Sequence, residues 1–310
     1  MTGPVVSIII AAYNRSRELG YAIASVRAST FTNWEMVVVG DACTDDSAAC
    51  VAAFGDSRIT FVNLKDRCGD QSGPNNHGVA ISNGRYIAYL NTDDLYLPCH
   101  LAACVEALDE GTADLVFAAV AGPSKRTGLT DPSLPMGFEL SSMPTAAGYS
   151  PDCFFHPSAW MLRRSLAERA GPWPRSADVH YLPSQVWLFR SWRAGASLQF
   201  LPRLGVIQIA AKAGDYLGHA TEHASFVAWC RSEPRFRERI LEEVALRAAV
   251  RLEADQVHPP LWPTLRRLML RPLEWLVLKL GMHPRSVRTL LRLQRGDALI
   301  RAHNRRTGAH

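Results

Sequence analysis

The stretch Val5-Val6-Ser7-Ile8-Ile9-Ile10-Ala11-Ala12-Tyr13-Asn14 decides the fold. Its nearly continuous β-branched run suits a strand buried on both faces, and it ends abruptly at a polar aromatic and an amide. The pattern repeats along the first 120 residues. Candidate strands at 36–39, 59–62, 86–90 and 115–120 follow the first at 5–11; the second and fourth run out into Gly40-Asp41 and Asn91-Thr92-Asp93-Asp94. Between them Leu19, Ala22, Ile23 and Val26, and later Leu101, Cys104, Val105 and Leu108, recur at three- and four-residue spacing, each set making one apolar helix stripe. Alternation of strand and helix predicts an α/β domain with a mostly parallel, Rossmann-like sheet and, through right-handed crossovers, helices on both faces.

Composition supports a large folded chain. With 310 residues, 47% hydrophobic and 20% charged, disorder and collagen-like repeats are excluded. The start, MTGPVVSIII, lacks the features of a secretory leader and no apolar run reaches membrane-spanning length, so a cytoplasmic protein is expected. Seven cysteines without a C-x-x-C pair read as reduced thiols rather than a disulfide framework or a zinc knot. The net charge of +5 is uneven: residues 261–310 carry eleven Lys/Arg against Glu274 and Asp297, which leaves the preceding body mildly acidic. That distribution argues against a nucleic-acid partner and for contact of the tail with an anionic membrane surface or an acidic partner.

Beyond the first half the pattern loosens. Residues 121–151 are rich in Gly, Pro, Ser and Thr without period and read as a long loop over a ligand. A strand is expected at 154–163, a helix at 184–193, two short strands at 198–201 and 206–209, and helices beyond 215, one of them at 235–252. Leu265, Leu268, Met269, Leu273, Leu276, Val277 and Leu280 make a stripe beside Arg266, Arg267, Arg271 and Lys279, suited either to packing on the body or a second copy or to lying on a membrane.

No GxxxxGK[ST], GxGxxG or GxSxG follows an early strand, which argues against a P-loop NTPase, a dinucleotide dehydrogenase and an α/β-hydrolase. In open α/β sheets ligands bind at the carboxyl ends of the strands, and three neighbouring strands deliver Tyr13, Asp41 and Asp93-Asp94 there. A flat ring can stack on a base, a lone carboxylate can accept a base N–H, and a strand-end carboxylate can hold a hard divalent ion that bridges to phosphate. Together they describe a nucleotide-diphosphate and metal site. Asp45 and Asp46, just ahead of a helix, read instead as capping residues.

Val6 to Arg15, then Val37-Val38-Val39-Gly40-Asp41-Ala42-Cys43-Thr44-Asp45-Asp46-Ser47, then Asn76-His77-Gly78-Val79-Ala80, then Gly84 to Asp94 resemble, in order and spacing, family 2 glycosyltransferases of the GT-A fold. The resemblance is close over about residues 4–120, weaker to about 210, and silent on the tail. It implies a GT-A domain over 1–215, with a nucleotide-binding half at 1–120 and an acceptor half at 121–215; charge and helical period make 216–310 a basic helical extension. It implies an inverting, Mn²⁺- or Mg²⁺-assisted hexosyltransferase of polysaccharide or glycoconjugate assembly. The donor would be a nucleotide-diphosphate sugar, UDP-linked first, and the acceptor a carbohydrate hydroxyl deprotonated by a general base. The donor residues implied are Ala11 and Tyr13 near the base, Asp41 at the uracil, Asp93 and Asp94 at the ribose and diphosphate, with Asp93 holding the metal, and Asn14 and Asn76 as further nucleotide-binding residues.

The chain departs from the family pattern at informative places. Gly40-Asp41 stands where two acids are usual, Asn91 where the metal motif often starts with an acid, and Asn75 where an Arg is common. Gly171-Pro172-Trp173 matches the family's Gly-x-aromatic element, yet the helix after it, Pro183-Ser184-Gln185-Val186-Trp187-Leu188-Phe189-Arg190, lacks the expected catalytic carboxylate. Asp178 and His180 are then the candidate bases. His156-Pro157-Ser158 and Trp160 are candidates for the acceptor side, with core packing the default for Trp160. His219-Ala220-Thr221-Glu222-His223 matches a zinc-peptidase pattern by five residues only; a histidine closing over the diphosphate metal, His219, is the functional alternative to a surface helix start. The rival to an enzyme is a GT-A protein that binds nucleotide-sugar as a scaffold and has lost its base.

Overall fold

The computed structural model describes residues 3–124, 130–131, 133–142, 149–151, 153–209, 219–257, 269 and 272–287, with the side chains of 141–142, 219–223 and 251–257 excepted. Nine strands form one sheet in the order β3-β2-β1-β4-β8-β6-β9-β5, with β7 beside β6. The strands are β1 (Val6–Ala12), β2 (Trp34–Gly40), β3 (Ile59–Asn63), β4 (Tyr86–Tyr89), β5 (Asp94–Tyr96), β6 (Leu115–Ser124), β7 (Gly137–Ser142), β8 (Trp160–Arg163) and β9 (Leu198–Gln208). Helices α1 (Ser16–Arg27), α2 (Ser47–Ala52), α3 (Ser72–Ile81), α4 (His100–Glu110), α5 (Arg164–Ala170), α6 (Pro183–Arg193), α7 (His219–Ser232) and α8 (Phe236–Val257) accompany them, and residues 272–279 are helical as well.

Alternation along β1 shows why the run is apolar throughout. Ile8 and Ile10 face one core with Leu19, Ala22, Ile23 and Val26 of α1 and Leu101, Cys104 and Leu108 of α4. Ile9 faces the other with Leu166 of α5 and Trp187 and Leu188 of α6. The sheet is parallel through β3-β2-β1-β4, then mixed: β8 runs antiparallel to β4 and β6, while β9 is parallel to β6. Gly84, ahead of β4, allows this close packing, because a Cβ there would sit 2.5 Å from the Ser7 backbone nitrogen. Ser7 Oγ accepts the Gly84 N–H at 2.7 Å and donates to Glu35 at 2.7 Å, tying together the amino ends of β1, β2 and β4.

The structure differs from the sequence expectation in four places, three of them in the second half. The 121–151 segment holds more than a loop: β6 continues to Ser124, and β7 pairs with it across a register shift. Only the end of 154–163 is a strand, since Pro157–Ala159 make a 3₁₀ turn before β8. The two closing strands are one, β9, interrupted by irregularities beside Ala118–Val120. A three-residue strand, β5, pairs antiparallel with β9 immediately after Asp93. A third core, with Phe138, Leu204 and Ile207, takes Phe226 from α7 and Ile240 and Val244 from α8. Among the described residues no helix is long and apolar enough to cross a membrane. Near the C-terminus Val277 is buried, whereas Met269, Leu273, Trp275, Leu276 and Leu280 are exposed; Leu265 and Leu268 of the expected stripe lie outside the described residues.

Candidate active site

The carboxyl ends of β1, β2 and β4 open onto one cavity of about 390 Å³. Ala11 and Tyr13 reach it from β1, Asp41 from β2 and Asp93 from the turn after β4, so the three side chains on which the donor reading rests share one pocket. Tight turns bring them there. Asn14 and Ala42 take the left-handed conformation, φ 47 and 57, just past the ends of β1 and β2. Asn tolerates that region, whereas Ala42 is held there at about 1–2 kcal/mol.

Asp41 is nearly buried, and its carboxylate accepts the backbone N–H groups of Cys68 at 2.6 Å and Gly69 at 2.9 Å. Part of its hydrogen-bonding capacity therefore positions the loop before α3 instead of standing open to a ligand. Asp70 on that loop accepts from Ser72 N–H and Ser176 N–H, both at 2.8 Å, and Ser72 Oγ donates to the Pro174 carbonyl at 2.8 Å. The loop is thus stitched to the second half of the chain. It also carries Arg67, whose guanidinium lies 3.9 Å from the Tyr13 ring centroid. The aromatic surface of the cavity comes with a cation attached, which suits a flat, anionic ligand.

Gly40, the departure from the family's two acids, has a steric reason. A Cβ there would run into the Asn63 side chain and approach Cys43 Sγ to 3.1 Å. Asn63 occupies that space to clamp Cys43, accepting its N–H at 2.8 Å and donating to its carbonyl at 2.9 Å.

Asp93 Oδ2 pairs with Arg15 Nη1 at 2.8 Å, with the carboxylate about a third exposed and the arginine nearly buried. Among the described residues no three His, Cys, Asp or Glu side chains gather as a protein-only metal cage would need. One carboxylate on the cavity wall fits the other mode, a hard cation held by one protein oxygen, phosphate oxygens and water.

Three expected contact residues turn away from this cavity. Asn14 binds Thr44, donating to Oγ1 at 3.2 Å and accepting its N–H at 2.8 Å. Asn76 pairs with the backbone of Trp173, donating to its carbonyl at 2.9 Å and accepting its N–H at 2.8 Å. Asp94 is 1% exposed, and its Oδ2 accepts from Asn91 Nδ2 at 2.9 Å and Ser158 Oγ at 2.5 Å. Burial pushes the Asp94 carboxyl up to about 6, with His156 drawing it back and the Asp93 charge adding to the rise. These side chains hold the loops that carry the wall.

The opposite wall is built by Phe154, His156, Pro157, Trp173 and residues 182–184. Gly171, at φ 70, caps α5 and sends the chain back so that Trp173 lands among Tyr89, Trp160 and Trp187. Trp187 Nε1 donates to the Gly171 carbonyl at 2.7 Å. Trp160 is wholly buried, so its default reading holds and it does not meet an acceptor. Pro183 and Ser184, at the start of α6, line the cavity and bring no carboxylate to it. Asp178 and His180 do not line it; Asp178 is exposed on a 3₁₀ turn over Ser176–Asp178. His219 begins α7, and its side chain lies outside the described residues, as does the rest of the five-residue zinc pattern. Sequence reasoning missed Arg15, Arg67 and Asp70 as cavity residues. Arg15 was visible inside the first motif, whereas Arg67 and Asp70 sit in a polar loop whose only signal is its place before α3.

Comparison with known proteins agrees with this architecture. The chain is similar to the succinoglycan biosynthesis protein ExoO of Rhizobium meliloti, 36% identical over 112 residues that make up 36% of this chain and 32% of the relative. It is similar to WfgD of Escherichia coli, named as a UDP-Glc:alpha-D-GlcNAc-diphosphoundecaprenol beta-1,3-glucosyltransferase, 34% identical over 93 residues, 30% of this chain and 36% of the relative. The match thus spans about a third of the length of each. Among solved structures, S. aureus TarS 1–349 in complex with UDP-GlcNAc superposes with a TM-score of 0.54 at 16% identity over 74% of this chain and 73% of that one. The mannosyltransferase PcManGT from Pyrobaculum calidifontis, in complex with GDP-Man and Mn²⁺, gives 0.53 at 20% identity over 99% of this chain and 88% of that one. These likenesses show the GT-A fold. The model of glycosyl transferase family 2 matches residues 7–171, more than half of the 310 residues, and the chain belongs to that family.

Proposed function

We propose that the protein is an inverting hexosyltransferase that uses a nucleotide-diphosphate sugar, UDP-linked in the first instance, and an acceptor hydroxyl in polysaccharide or glycoconjugate assembly. The observation that carries this reading is the convergence of Tyr13, Asp41 and Asp93 on one cavity with a separate wall facing them. Ala11, Tyr13 and Arg67 would receive the base, and the loop anchored by Asp41 would close beside it. Asp93 would hold Mn²⁺ or Mg²⁺ against the diphosphate, where the ion neutralises charge on the leaving group. Arg15 fixes the Asp93 carboxylate, and the cavity supplies orientation for in-line attack.

The name of WfgD supports a sugar transferase whose acceptor is carried on a lipid diphosphate, that of ExoO supports polysaccharide assembly, and the two ligand-bound neighbours support UDP or GDP as the nucleotide. We assign catalysis to residues 1–215 and to 216–310 the role of a basic helical extension. Exposed Trp275, Leu276 and Leu280, within a segment rich in arginine, suit contact with the anionic inner face of a cytoplasmic membrane; a second copy of the chain is the alternative cover.

Calorimetric titration with UDP, GDP and dTDP, each with and without Mn²⁺, tests the donor site. One diphosphate is expected to bind, more tightly with metal, and Asp93→Ala to remove the metal's effect; no binding of any of the three at millimolar concentration would overturn the reading.

A further inference from the structure

The cavity needs a group that can take a proton from the acceptor hydroxyl, and the usual place for it, the start of α6, offers Pro183 and Ser184. Neither replacement predicted from sequence reaches the wall. The structure supplies a different one. His156 lines the cavity on the acceptor side, just ahead of the 3₁₀ turn that leads into β8, and is 6% exposed. Its Nδ1 is buried, makes no hydrogen bond to the described residues, and lies 3.4 Å from Asp94 Oδ2. Asp94 is itself buried, and its Oδ1 has no partner among the described residues. Two polar groups left incompletely satisfied in a dry place, one behind the other and ending on a cavity wall, are costly unless they serve a purpose.

We infer that His156 is the catalytic base of the transfer reaction and that Asp94, from the strand beyond Asp93, is its positioning residue. The inference rests on the donor reading above and adds to it the group that activates the acceptor. The imidazole carries its proton on Nδ1, turned to Asp94 Oδ2, which leaves the Nε2 lone pair toward the cavity. As the acceptor oxygen forms its bond to the anomeric carbon, its proton passes to Nε2. The anomeric carbon–oxygen bond to the diphosphate breaks, and the leaving nucleoside diphosphate keeps the electron pair. The imidazolium that results faces the Asp94 carboxylate and then returns its proton to solvent.

Other charges bear on the pair from known directions. Asp93 acts on Asp94 from the donor side and is itself paired with Arg15; Asp41, Asp70 and Arg67 line the same cavity. Phe154, Trp173 and residues 182–184 of the acceptor wall bring no charge. Ser158 and Asn91 both donate to Asp94 Oδ2, fixing the carboxylate in place. This arrangement also explains why Asp94 is turned from the cavity in a motif where it was expected to contact the donor.

The test compares wild type with His156→Gln, Asp94→Asn and Asp178→Asn. It uses UDP titration with Mn²⁺ for binding, and release of UDP from UDP-glucose and UDP-GlcNAc, with water as acceptor, for turnover. His156→Gln is expected to bind UDP within about twofold of wild type and to lose turnover by about 10²–10⁴-fold, falling on kcat with the donor KM little changed. Asp94→Asn is expected to lose less, again on kcat with the donor KM little changed; a merely structural role would lower the melting temperature without that split. Asp178→Asn is expected to stay within about twofold. Nitrogen-15 NMR of histidine-labelled protein reads the pair without turnover. It should show the neutral ring of His156 protonated on Nδ1 in wild type and changed in Asp94→Asn. Wild-type turnover in His156→Gln, loss of turnover in Asp178→Asn, or a ring protonated on Nε2 would overturn the assignment. Failure of wild type to bind any diphosphate would instead remove the donor reading beneath it.

Discussion

The two walls of the cavity are held in opposite ways. On the donor side the side chains stand on parallel strand ends and polar stitches: Asp41 on the N–H groups of Cys68 and Gly69, Asp70 on those of Ser72 and Ser176, Asp93 on Arg15. On the acceptor side the wall is the outer surface of an aromatic core, with Trp173 packed against Tyr89, Trp160 and Trp187. The donor wall keeps adjustable loops at fixed anchor points, which suits a ligand whose diphosphate must be gripped. The acceptor wall is largely apolar, with His156 set into it and Asp94 behind His156.

The comparison can be broken by substitution, and the largest effect should fall on the aromatic wall. Trp173→Ala is expected to cost about 3–5 kcal/mol in chemical denaturation, because a buried ring packed on three aromatic neighbours is removed. Asp41→Ala should cost less, about 1–3 kcal/mol, since it strands two backbone donors, but it should weaken UDP binding more than Trp173→Ala does. A Trp173→Ala protein as stable as Asp41→Ala would contradict the division of labour.

A smaller effect sharpens the contrast through pH. Asp94 has its carboxyl raised to about 6, above the unfolded value near 4, so the folded state holds the extra proton between about pH 4 and 6. Its contribution to stability is complete below about pH 4 and declines as pH rises through 6. Burial holds His100 and His283 down to about 3, which acts the other way: their contribution is present above about 6.5 and is lost as pH falls toward 3. Thermal melts from pH 4 to 7 should therefore show Asp94→Asn gaining on wild type as pH rises, by a margin that is small at pH 4. A constant difference across that range would contradict the assignment of the buried proton to Asp94.

Legibility in the sequence follows the same division. The donor wall was readable because each of its strands is a local apolar run with its polar end attached, as in Ile8-Ile9-Ile10 to Tyr13 and Val37-Val38-Val39 to Asp41. What sequence could not show was orientation: Asn14, Asn76 and Asp94 do not line the cavity, and Thr44, Trp173 and Ser158, distant in the chain, bind their polar atoms. The acceptor half, and the short strand that pairs back to it, were less legible still. β5 is three residues long and exists through its pairing with β9; β7, with the sequence GFELSS, has no strong pattern and exists through its pairing with β6. His156 was placed on the acceptor side from its sequence neighbourhood, but its partner was not, since 62 residues separate it from Asp94 and only the sheet brings the two together.

Photolabelling with 5-azido-UDP-glucose, followed by peptide mapping, tests the central claim most directly. The account predicts that the label falls on peptides carrying Tyr13 and Arg67, that UDP with Mn²⁺ competes it away, and that Asp41→Ala reduces it. Competed label on the peptide carrying Phe154 and His156, with none on Tyr13 or Arg67, would show the donor on the other wall and contradict the account.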